Sequence, residues 1–492
     1  MTNPATTIAP KYSPLGALKR LVTDPIERPQ NPFKVMAILN KNQWLVFVAA
    51  FLGWTLDAMD YHVFNLCVSN IATDPSINMS KSSITSAITL TLLLRPIGAL
   101  IFGLLGDKFG RRGPLMVDIL LFSILEVLTG TAKSFGALIV IRSLFGICLG
   151  GEWGLGAALA LEELPAEARG LFSGILQQGY ATGNLIASGI YYAAVPNLGW
   201  RPLFYICAFP ALLIIFIRFF VPESKAAEAQ ITRRKETNAT FLTELKVTFK
   251  KHWQLAIYCI ILMSAFNFLS HGSQDLYPTF IGSLGYTDSQ KATTNAISAT
   301  GAICGGTLFG FFGQYIGRRR AIIIASLGAA AMIYPWAYSA TLPGLQASGF
   351  WMQFFVQGAW GIVPAYLNEL SPPALRATFP GLTYNIGNMI SASSAQIESS
   401  LGESYPTGRF DKAGLSIPNY GLTQAVLMAI TTTVLVFVVA FGDEKKGRDL
   451  TVAEDVDLAL PSAATGSTTV VADANKEEPP FLTSTSAETI VV

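Results

Sequence analysis

Charged side chains are scarce in this chain. Asp, Glu, Lys and Arg make up only 13% of its 492 residues, about half their share in soluble globular proteins. Apolar residues make up 51% and fall into runs of about 20 residues, the length that crosses a bilayer as a helix. This composition excludes a large soluble domain. It predicts the lipid bilayer as the protein's environment and no nucleic-acid partner.

Cysteine and histidine are also rare, with five and three residues. The cysteines all lie in apolar segments without the spacing of a disulfide framework or a metal site, so they are interpreted as packing residues. Neither a metal nor a cofactor is expected, and no nucleophile–base set suggests an enzyme. Residues 1–43 lack the apolar core of a cleaved signal peptide, so the first span is expected to act as a signal anchor.

Twelve apolar runs are candidate transmembrane helices, which predicts an all-α membrane protein. They form two series of six, near 44–71, 83–105, 114–132, 137–161, 170–194 and 202–221, and near 255–281, 292–313, 319–340, 345–369, 376–397 and 420–441. The expected domains are a cytoplasmic N-terminal tail at 1–43, six-helix bundles at 44–221 and 255–441, a cytoplasmic central loop at 222–254, and a disordered cytoplasmic tail at 442–492.

Basic residues concentrate in alternate loops. They follow the second and eighth spans, fill the central loop and follow the last span. The positive-inside rule places these loops, and both termini, in the cytoplasm. The two tails are therefore candidate sites for kinase or ubiquitin machinery.

The two series of spans are related by an internal repeat. GLLGDKFGRR at 103–112 recurs as GFFGQYIGRR at 310–319, an offset of 207 residues. The same offset aligns further Gly, Trp, Glu and Arg positions, among them Glu162 with Glu369. Several separated matches at one offset predict two related bundles with a substrate site between them.

These motifs resemble those of the major facilitator superfamily. The loop at 103–112 is similar to the superfamily's signature loop, RSLFGICLG at 142–150 to its fourth-helix motif, and VPES at 221–224 to the end of its sixth helix. The resemblance covers about residues 40–445 and implies the major facilitator fold, twelve helices in two six-helix bundles. In the second half Gln314 replaces the aspartate, so any charge latch there is expected to be weaker or absent.

Charged residues at the inner helix ends are candidate gating residues. Asp107 and Glu162 can pair with Arg111, Arg112 or Arg169 where these ends meet, and glycines allow the close approach. Such pairs are expected to hold the two bundles together while the cytoplasmic side is closed, and to break when it opens. The alternative is that the basic residues only anchor the topology.

The seventh span carries a polar stripe in NFLSHGSQDLYPT at 267–279. At about 100° per residue, Asn267, His271, Gln274 and Asp275 fall on one face, and a polar face at membrane depth must contact protein or water. His271 and Asp275 are four residues apart and can form a hydrogen bond, and such a pair can exchange a proton near neutral pH. The alternative is a hydrogen-bond cluster between helices.

This segment also resembles the signature of the fungal lactate and pyruvate permeases, the Jen family, which belongs to the sialate:proton symporter group. Every defined position of N-x-x-S-H-x-S-Q-D-x-x-x-T matches within 267–279. The resemblance implies proton-coupled uptake of a short carboxylate at the plasma membrane. Two other functions remain open: a membrane sensor that binds carboxylates without net transport, and a carrier or uniporter for sugars or sialic acid.

Arg95 is a candidate substrate ligand about halfway along the second span. A guanidinium can bind a carboxylate through two parallel hydrogen bonds, and the resemblance also implies a substrate role for this arginine. The alternative is a buried ion pair with Asp57 or Asp60, which share a face of the first span. Asp57 and Asp60 are otherwise coupling or structural carboxylates.

Asn385 and Asn388 share a face of the eleventh span. The resemblance implies that Asn388 belongs to the substrate site, whereas Asn385 stands where the lactate and pyruvate carriers have Gln. This departure leaves room for dicarboxylates such as succinate or malate. The repeat aligns Asn385 with the pair Gln177-Gln178 in the fifth span, so amides from both halves are expected to line the cavity. The alternative is that they hold helices together.

Overall fold

The computed structural model describes residues 13–219, 222–236, 240–408, 416 and 418–450. Helices dominate these ranges, as the predicted all-α class requires. Residues 1–12, Val221 of the sixth-helix motif and the predicted tail from residue 451 onward lie outside the described residues.

The first series of spans is preceded by two short helices, α1 (Pro14–Thr23) and α2 (Pro32–Ala37). The six spans then form seven helices: α3 (Lys41–Ala72), α4 (Lys81–Phe109), α5 (Arg112–Thr131), α6 (Phe135–Glu162), α7 (Arg169–Gln177), α8 (Gly179–Leu198) and α9 (Arg201–Arg218). Together α3 to α9 make up the first half of the molecule.

The central loop contains α10 (Lys225–Glu236). The second half follows as α11 (Phe241–Gln274), α12 (Tyr277–Ser283), α13 (Asp288–Ile316), α14 (Arg318–Tyr338), α15 (Leu342–Trp360), α16 (Val363–Leu370), α17 (Thr378–Ser391), α18 (Ser394–Ser404) and α19 (Tyr420–Ala440). A single 3₁₀ turn, Pro373–Leu375, precedes α17.

Helix boundaries follow local chemistry. Asn40 and Gln43 form a capping box at the start of α3, and Thr240 caps α11 through the backbone N–H of Thr243. The two copies of the repeated loop each turn at a glycine with positive φ, +102° at Gly110 and +98° at Gly317. Other residues avoid this backbone conformation, which explains why both copies have Gly there.

The outer surface is apolar. On α4 alone, Leu93, Ile97, Leu100 and Ile101 are each more than 40% exposed, and a water-soluble monomer rarely shows such a continuous apolar surface. Seven helical segments of the described chain are long and apolar enough to cross a membrane by themselves. Among the remaining spans, three are broken into helix pairs, α7–α8, α15–α16 and α17–α18.

Glycines allow the two halves to approach closely. A Cβ on Gly154 of α6 would lie 2.9 Å from the Cα of Gly381 on α17, and a Cβ on Gly174 of α7 would lie 2.6 Å from the carbonyl oxygen of Gly306 on α13. Small residues at helix contacts are typical of packing in membranes. Any open space between the halves therefore lies away from these glycine contacts.

Both linking segments contain ordered structure, and one of them departs from the expectation. Part of the predicted central loop at 222–254 is helical, because α10 lies within it and the cap at Thr240 starts α11 well before its apolar run. Residues 442–450 were expected to be disordered, yet Glu444 accepts hydrogen bonds from the backbone N–H groups of Arg318 and Arg319. These contacts fix the chain immediately after the last span.

Candidate functional site

A small cavity of about 30 Å³, with room for a water molecule or two, lies between the two halves. Its lining residues are Trp54, Tyr61, Leu92, Arg95, Gln177, Tyr180, Asn267, Ser270, His271, Gln357, Trp360, Tyr384 and Asn388. Five residues singled out from the sequence are thus brought to one place from four different helices: Arg95, Gln177, Asn267, His271 and Asn388.

Arg95 presents its guanidinium to this cavity. The group lies 5.7 Å from the ring centroid of Tyr61, and its charge acts on Tyr384 of the other half. Its charge also acts on His271. Arg95 is only 6% exposed, and its Nε has no hydrogen-bond partner within the described part of the chain. A desolvated guanidinium with an unused donor is well suited to bind a carboxylate.

His271 joins α11 to α17. Its Nδ1 lies 2.8 Å from Oδ2 of Asp275, and its Nε2 lies 2.9 Å from Oδ1 of Asn388. Both ring nitrogens therefore face oxygen acceptors, an arrangement that suits the doubly protonated ring. A neutral ring would favour the opposite orientation of the Asn388 amide. Protonation of His271 is thereby linked to the position of a residue on another helix.

The stripe on α11 is divided between two environments. Asn267 lines the cavity, and its amide donates to the carbonyl oxygen of Met263 at 2.8 Å. Gln274 instead donates to Oε1 of Gln353 on α15 at 2.9 Å and is not among the cavity-lining residues. The Asp275 side chain is 43% exposed, against 15% for His271, so Asp275 connects the site to the surface.

Asn385 lies one turn from Asn388 but in a different setting. Its amide nitrogen donates to the carbonyl oxygens of Gly150 at 3.1 Å and Gly381 at 2.8 Å. Asn385 thus ties α17 to α6 of the first half and is not among the cavity-lining residues. Its repeat counterpart Gln178 likewise packs against Gly306 of the opposite half. Gln177, the neighbour of Gln178, does line the cavity, as does Asn388 from the second half, whereas Asn385 and Gln178 do not.

Asp57 and Asp60 lie inside the first half. Asp60 is fully buried, and the charges acting on it are Glu126, Asp57 and Arg142. Arg142 pairs with Glu126 at 3.1 Å. These carboxylates therefore belong to a charged cluster within the first bundle, and neither lines the cavity.

The candidate gating residues form one network at the basic end of the first half. Arg111 pairs with Asp107 at 2.9 Å and with Glu162 at 3.2 Å. Both pairs lie within one half, so they do not by themselves join the bundles. Asp107 makes the contact across: it accepts from the backbone N–H groups of Ala377 and Thr378, each at 3.0 Å.

Arg112 and Arg169 have other partners. The backbone N–H of Arg112 donates to Glu223, and its side chain donates to the carbonyl of Phe219. Arg169 donates to the carbonyl of Arg448, beyond the last helix. The expected pairing of Asp107 or Glu162 is thus seen with Arg111. The other two arginines hold the linking segments in place.

In the second half, Arg318 pairs with Glu369 at 3.0 Å and donates to Oε1 of Gln314 at 2.7 Å. Gln314 makes no hydrogen bond to the first half among those of the described residues. The repeat therefore preserves the Arg–Glu pair inside each half, while Asp107, and not its counterpart Gln314, bonds across the halves.

Sequence reasoning missed several residues of the cavity. Trp54, Tyr61, Gln357 and Trp360 line it, yet aromatic residues within apolar spans give no signal that distinguishes a cavity wall from a lipid-facing surface. Gln357 could have been predicted from the sequence. Like the polar residues of the α11 stripe, a glutamine inside an apolar span is uncommon and is therefore a candidate functional residue.

The described chain has twelve span-length segments in two related halves. The halves contact each other closely at one end and enclose a polar cavity. These features define a membrane transporter. The family model described as the Major Facilitator Superfamily matches residues 38–395. The chain belongs to this superfamily, whose members are transporters and not enzymes.

Named relatives agree with this assignment. The chain is 32% identical over 444 residues to the "Carboxylic acid transporter protein homolog" of Saccharomyces cerevisiae, covering 85% of this chain and 71% of that protein. It is 28% identical over 357 residues to the "Sialic acid transporter NanX" of Escherichia coli, covering 71% of this chain and 85% of that protein. Among solved structures, the proton:xylose symporter XylE matches with a TM-score of 0.65 at 19% identity, covering 83% of this chain and 98% of that one; this likeness concerns the fold.

Proposed function

We propose that this protein is a secondary active transporter that imports a short-chain mono- or dicarboxylate together with protons by alternating access. The observation that carries the proposal is the pairing of two groups across one cavity. Arg95 of the first half presents a guanidinium, and His271 of the second half presents a ring held between Asp275 and Asn388.

Arg95 is the proposed carboxylate ligand. Its desolvated guanidinium can form charge-assisted hydrogen bonds to the substrate, which are about twice as strong as neutral ones. Asn267 and Asn388 would orient the rest of the substrate from the opposite wall. Gln274 would act through Gln353, and Asn385 through the helix contact that it maintains with Gly150.

His271 and Asp275 are the proposed proton-handling pair. A substrate anion adds negative charge to a site shielded from water, and an accompanying proton offsets that charge, so the loaded carrier can close. Asp275 is partly exposed and can exchange protons with water, while His271 reaches the cavity. The bond between His271 and Asn388 would transmit the change in charge to α17.

Asp57 and Asp60 are proposed as secondary coupling carboxylates of the first half. Both oxygens of Asp60 lack a hydrogen-bond partner within the described chain, and buried carboxylates in this state favour the protonated form. A change of the proton on Asp60 would act on Arg142 and, through Glu126, on the packing of α5 against α6.

Asp107 with Arg111 and Glu162 would form the gate, assisted by Arg112 and Arg169 through the linking segments. In the conformation described here the basic end is closed. Following the positive-inside rule, that end and both termini would face the cytoplasm, in a protein of the plasma membrane. Release of the substrate then requires Asp107 to leave the N-terminus of α17.

The Jen-type segment on α11 and the carboxylic acid and sialic acid transporters among the relatives support an acid as the substrate. Counterflow in proteoliposomes, with lactate, pyruvate, succinate, malate, acetate, sialic acid and xylose compared at two pH values, tests this. We expect exchange with one or more of the short carboxylates, faster at the lower pH. Exchange with xylose alone would overturn the proposal, and binding of a carboxylate without exchange would identify a sensor.

A further inference from the structure

Glu398 is a buried carboxyl group with no role in the proposed carboxylate site, proton-handling pair or gate. It lies on α18 and is 0% exposed. A Cβ on Gly272, the residue after His271, would lie 3.4 Å from Oε1 of Glu398 and 3.0 Å from Leu427 of α19. Glu398 is therefore enclosed between α11, α18 and α19, directly behind the face of α11 that carries the proton-handling pair.

Neither carboxyl oxygen of Glu398 has a hydrogen-bond partner within the described residues. The same is true of the hydroxyl of Ser394, one turn earlier on α18, and of the amide of Gln424 on α19; both residues are fully buried. Contact between Gly402 and Tyr420 sets α18 and α19 antiparallel, with Gln424 at the level of Glu398. Each of these three polar side chains is thus buried without a hydrogen-bond partner, and an ionised Glu398 would lack compensation there.

Few charged or titratable groups lie near Glu398. From α11, Asp275 is the charge that acts on it, and Asp275 is itself paired with His271. The one titratable residue of α19 is Tyr420, which packs against Gly402, and Glu403 of α18 is exposed. No cation of the described chain pairs with Glu398 within 4 Å.

We propose that Glu398 is a second proton-binding carboxyl of the transport site, protonated in the conformation described here, and that it holds the co-transported proton by exchange with Asp275. This rests on the proposed proton-coupled function. In the exchange one O–H bond breaks at Glu398 and one forms at Asp275, directly or through water, and no electrons pass to any other group. Two neighbouring carboxyls that share protons avoid the simultaneous ionisation of both.

In this arrangement Asp275 and Glu398 have different roles in proton transfer. Asp275 faces solvent and His271, so it takes protons from water and relays them. Glu398 is enclosed, so it retains a proton while the carrier changes conformation. The break between α17 and α18 lies between Asn388 and Glu398, which allows the two parts of this span to respond separately to substrate and proton.

The test compares Glu398→Gln with Glu403→Gln, a control at the exposed end of the same helix, in proteoliposomes. A gradient of about one pH unit drives a one-proton symporter to about tenfold accumulation. We expect Glu398→Gln to keep carboxylate counterflow at equal pH but to show no accumulation, while Glu403→Gln keeps both. Accumulation by Glu398→Gln at the wild-type level, or loss of counterflow in a correctly folded variant, would overturn the proposal.

A second measurement does not depend on a variant. Infrared spectra of the wild-type protein, with and without ¹³C-labelled glutamate, should show the carbonyl band of a protonated buried Glu at neutral pH. Its absence would overturn the role of Glu398. Failure of the proposed function would appear differently, as a wild-type protein that exchanges no carboxylate although this band is present.

Discussion

Asp107 of the first half and Thr378 of the second half are joined by two hydrogen bonds. Oδ2 of Asp107 accepts from the backbone N–H of Thr378 at 3.0 Å and from its hydroxyl at 2.6 Å. Because Thr378 is the first residue of α17, the carboxylate lies at the N-terminus of that helix, where a negative charge is stabilised. The closed end of the molecule is therefore held by a side chain and a helix end, with Arg111 supporting the carboxylate from its own half.

Replacing Asp107 by Ala should open this end. Hydrogen bonds to a charged group contribute about 1.5–3 kcal/mol each, so their loss shifts the equilibrium away from the closed form. We expect faster hydrogen exchange in segments 104–112 and 372–382 and a slower transport cycle. Gln314→Ala is the matched control from the other half, since Gln314 bonds within its own half; equal effects of the two substitutions would contradict this role of Asp107.

Arg95→Lys should weaken carboxylate binding although it keeps the charge. Lysine is a point charge and cannot form the bidentate pair, so the dissociation constant is expected to rise about 10-fold or more, equivalent to about 1.4 kcal/mol. Trp54 and Trp360 line the same cavity, so tryptophan fluorescence can follow the titration. An unchanged affinity would exclude Arg95 as the carboxylate ligand.

Gly150→Ala should disrupt the first half. A Cβ there would lie 1.9 Å from the carbonyl oxygen of Arg95, so α4 and α6 must separate and move Arg95. We expect a lower melting temperature and less folded protein on size exclusion. Gly136→Ala on the same helix is the control, because nothing lies within 4 Å of its Cβ position; this change should be neutral or stabilise by up to about 1 kcal/mol.

Asp74 should stabilise the loop after α3 at every pH except acidic pH. Partial burial alone would raise its pKa, but hydrogen bonds from Ser76 and Trp200 and the charge of Arg201 hold the pKa of Asp74 at about 2. Since the unfolded value is about 3.9, the stabilisation is present above that pH and is lost as the pH falls towards the folded value.

Melting temperatures of the wild-type protein and Asp74→Asn, measured in detergent as a function of pH, check this. The difference between them should stay constant from about pH 8 to about pH 5 and shrink below about pH 4. A difference that grows on acidification would contradict the assignment.

The sequence could predict features that depend on one helix. The i,i+4 spacing of His271 and Asp275 gave their hydrogen bond, because both partners lie on one face of one helix. The twelve spans followed from apolar length, and the two halves from the repeat. These features need no knowledge of which helices become neighbours.

Features that depend on neighbouring helices were harder to obtain. Gln274 shares the face of His271, yet it turns to Gln353 on α15, a contact that only the packing of two distant segments decides. Besides the Thr378 hydroxyl, the partners of Asp107 across the halves are backbone N–H groups, which leave no trace in a side-chain pattern. Glu398 was missed because the predicted eleventh span ended at 397, while α18 continues to Ser404.

The central claim is that a carboxylate and a proton move together. Proteoliposomes loaded with a pH-sensitive dye, at equal pH on both sides, should acidify inside when the carboxylate identified by counterflow is added outside. Vesicles with His271→Ala should lose the acidification that the carrier produces. Any acidification that remains in them measures the leak of the undissociated acid through lipid. Symport of the carboxylate with a proton predicts more acidification in wild-type vesicles than in His271→Ala vesicles; carboxylate entry without acidification beyond that of His271→Ala would contradict it.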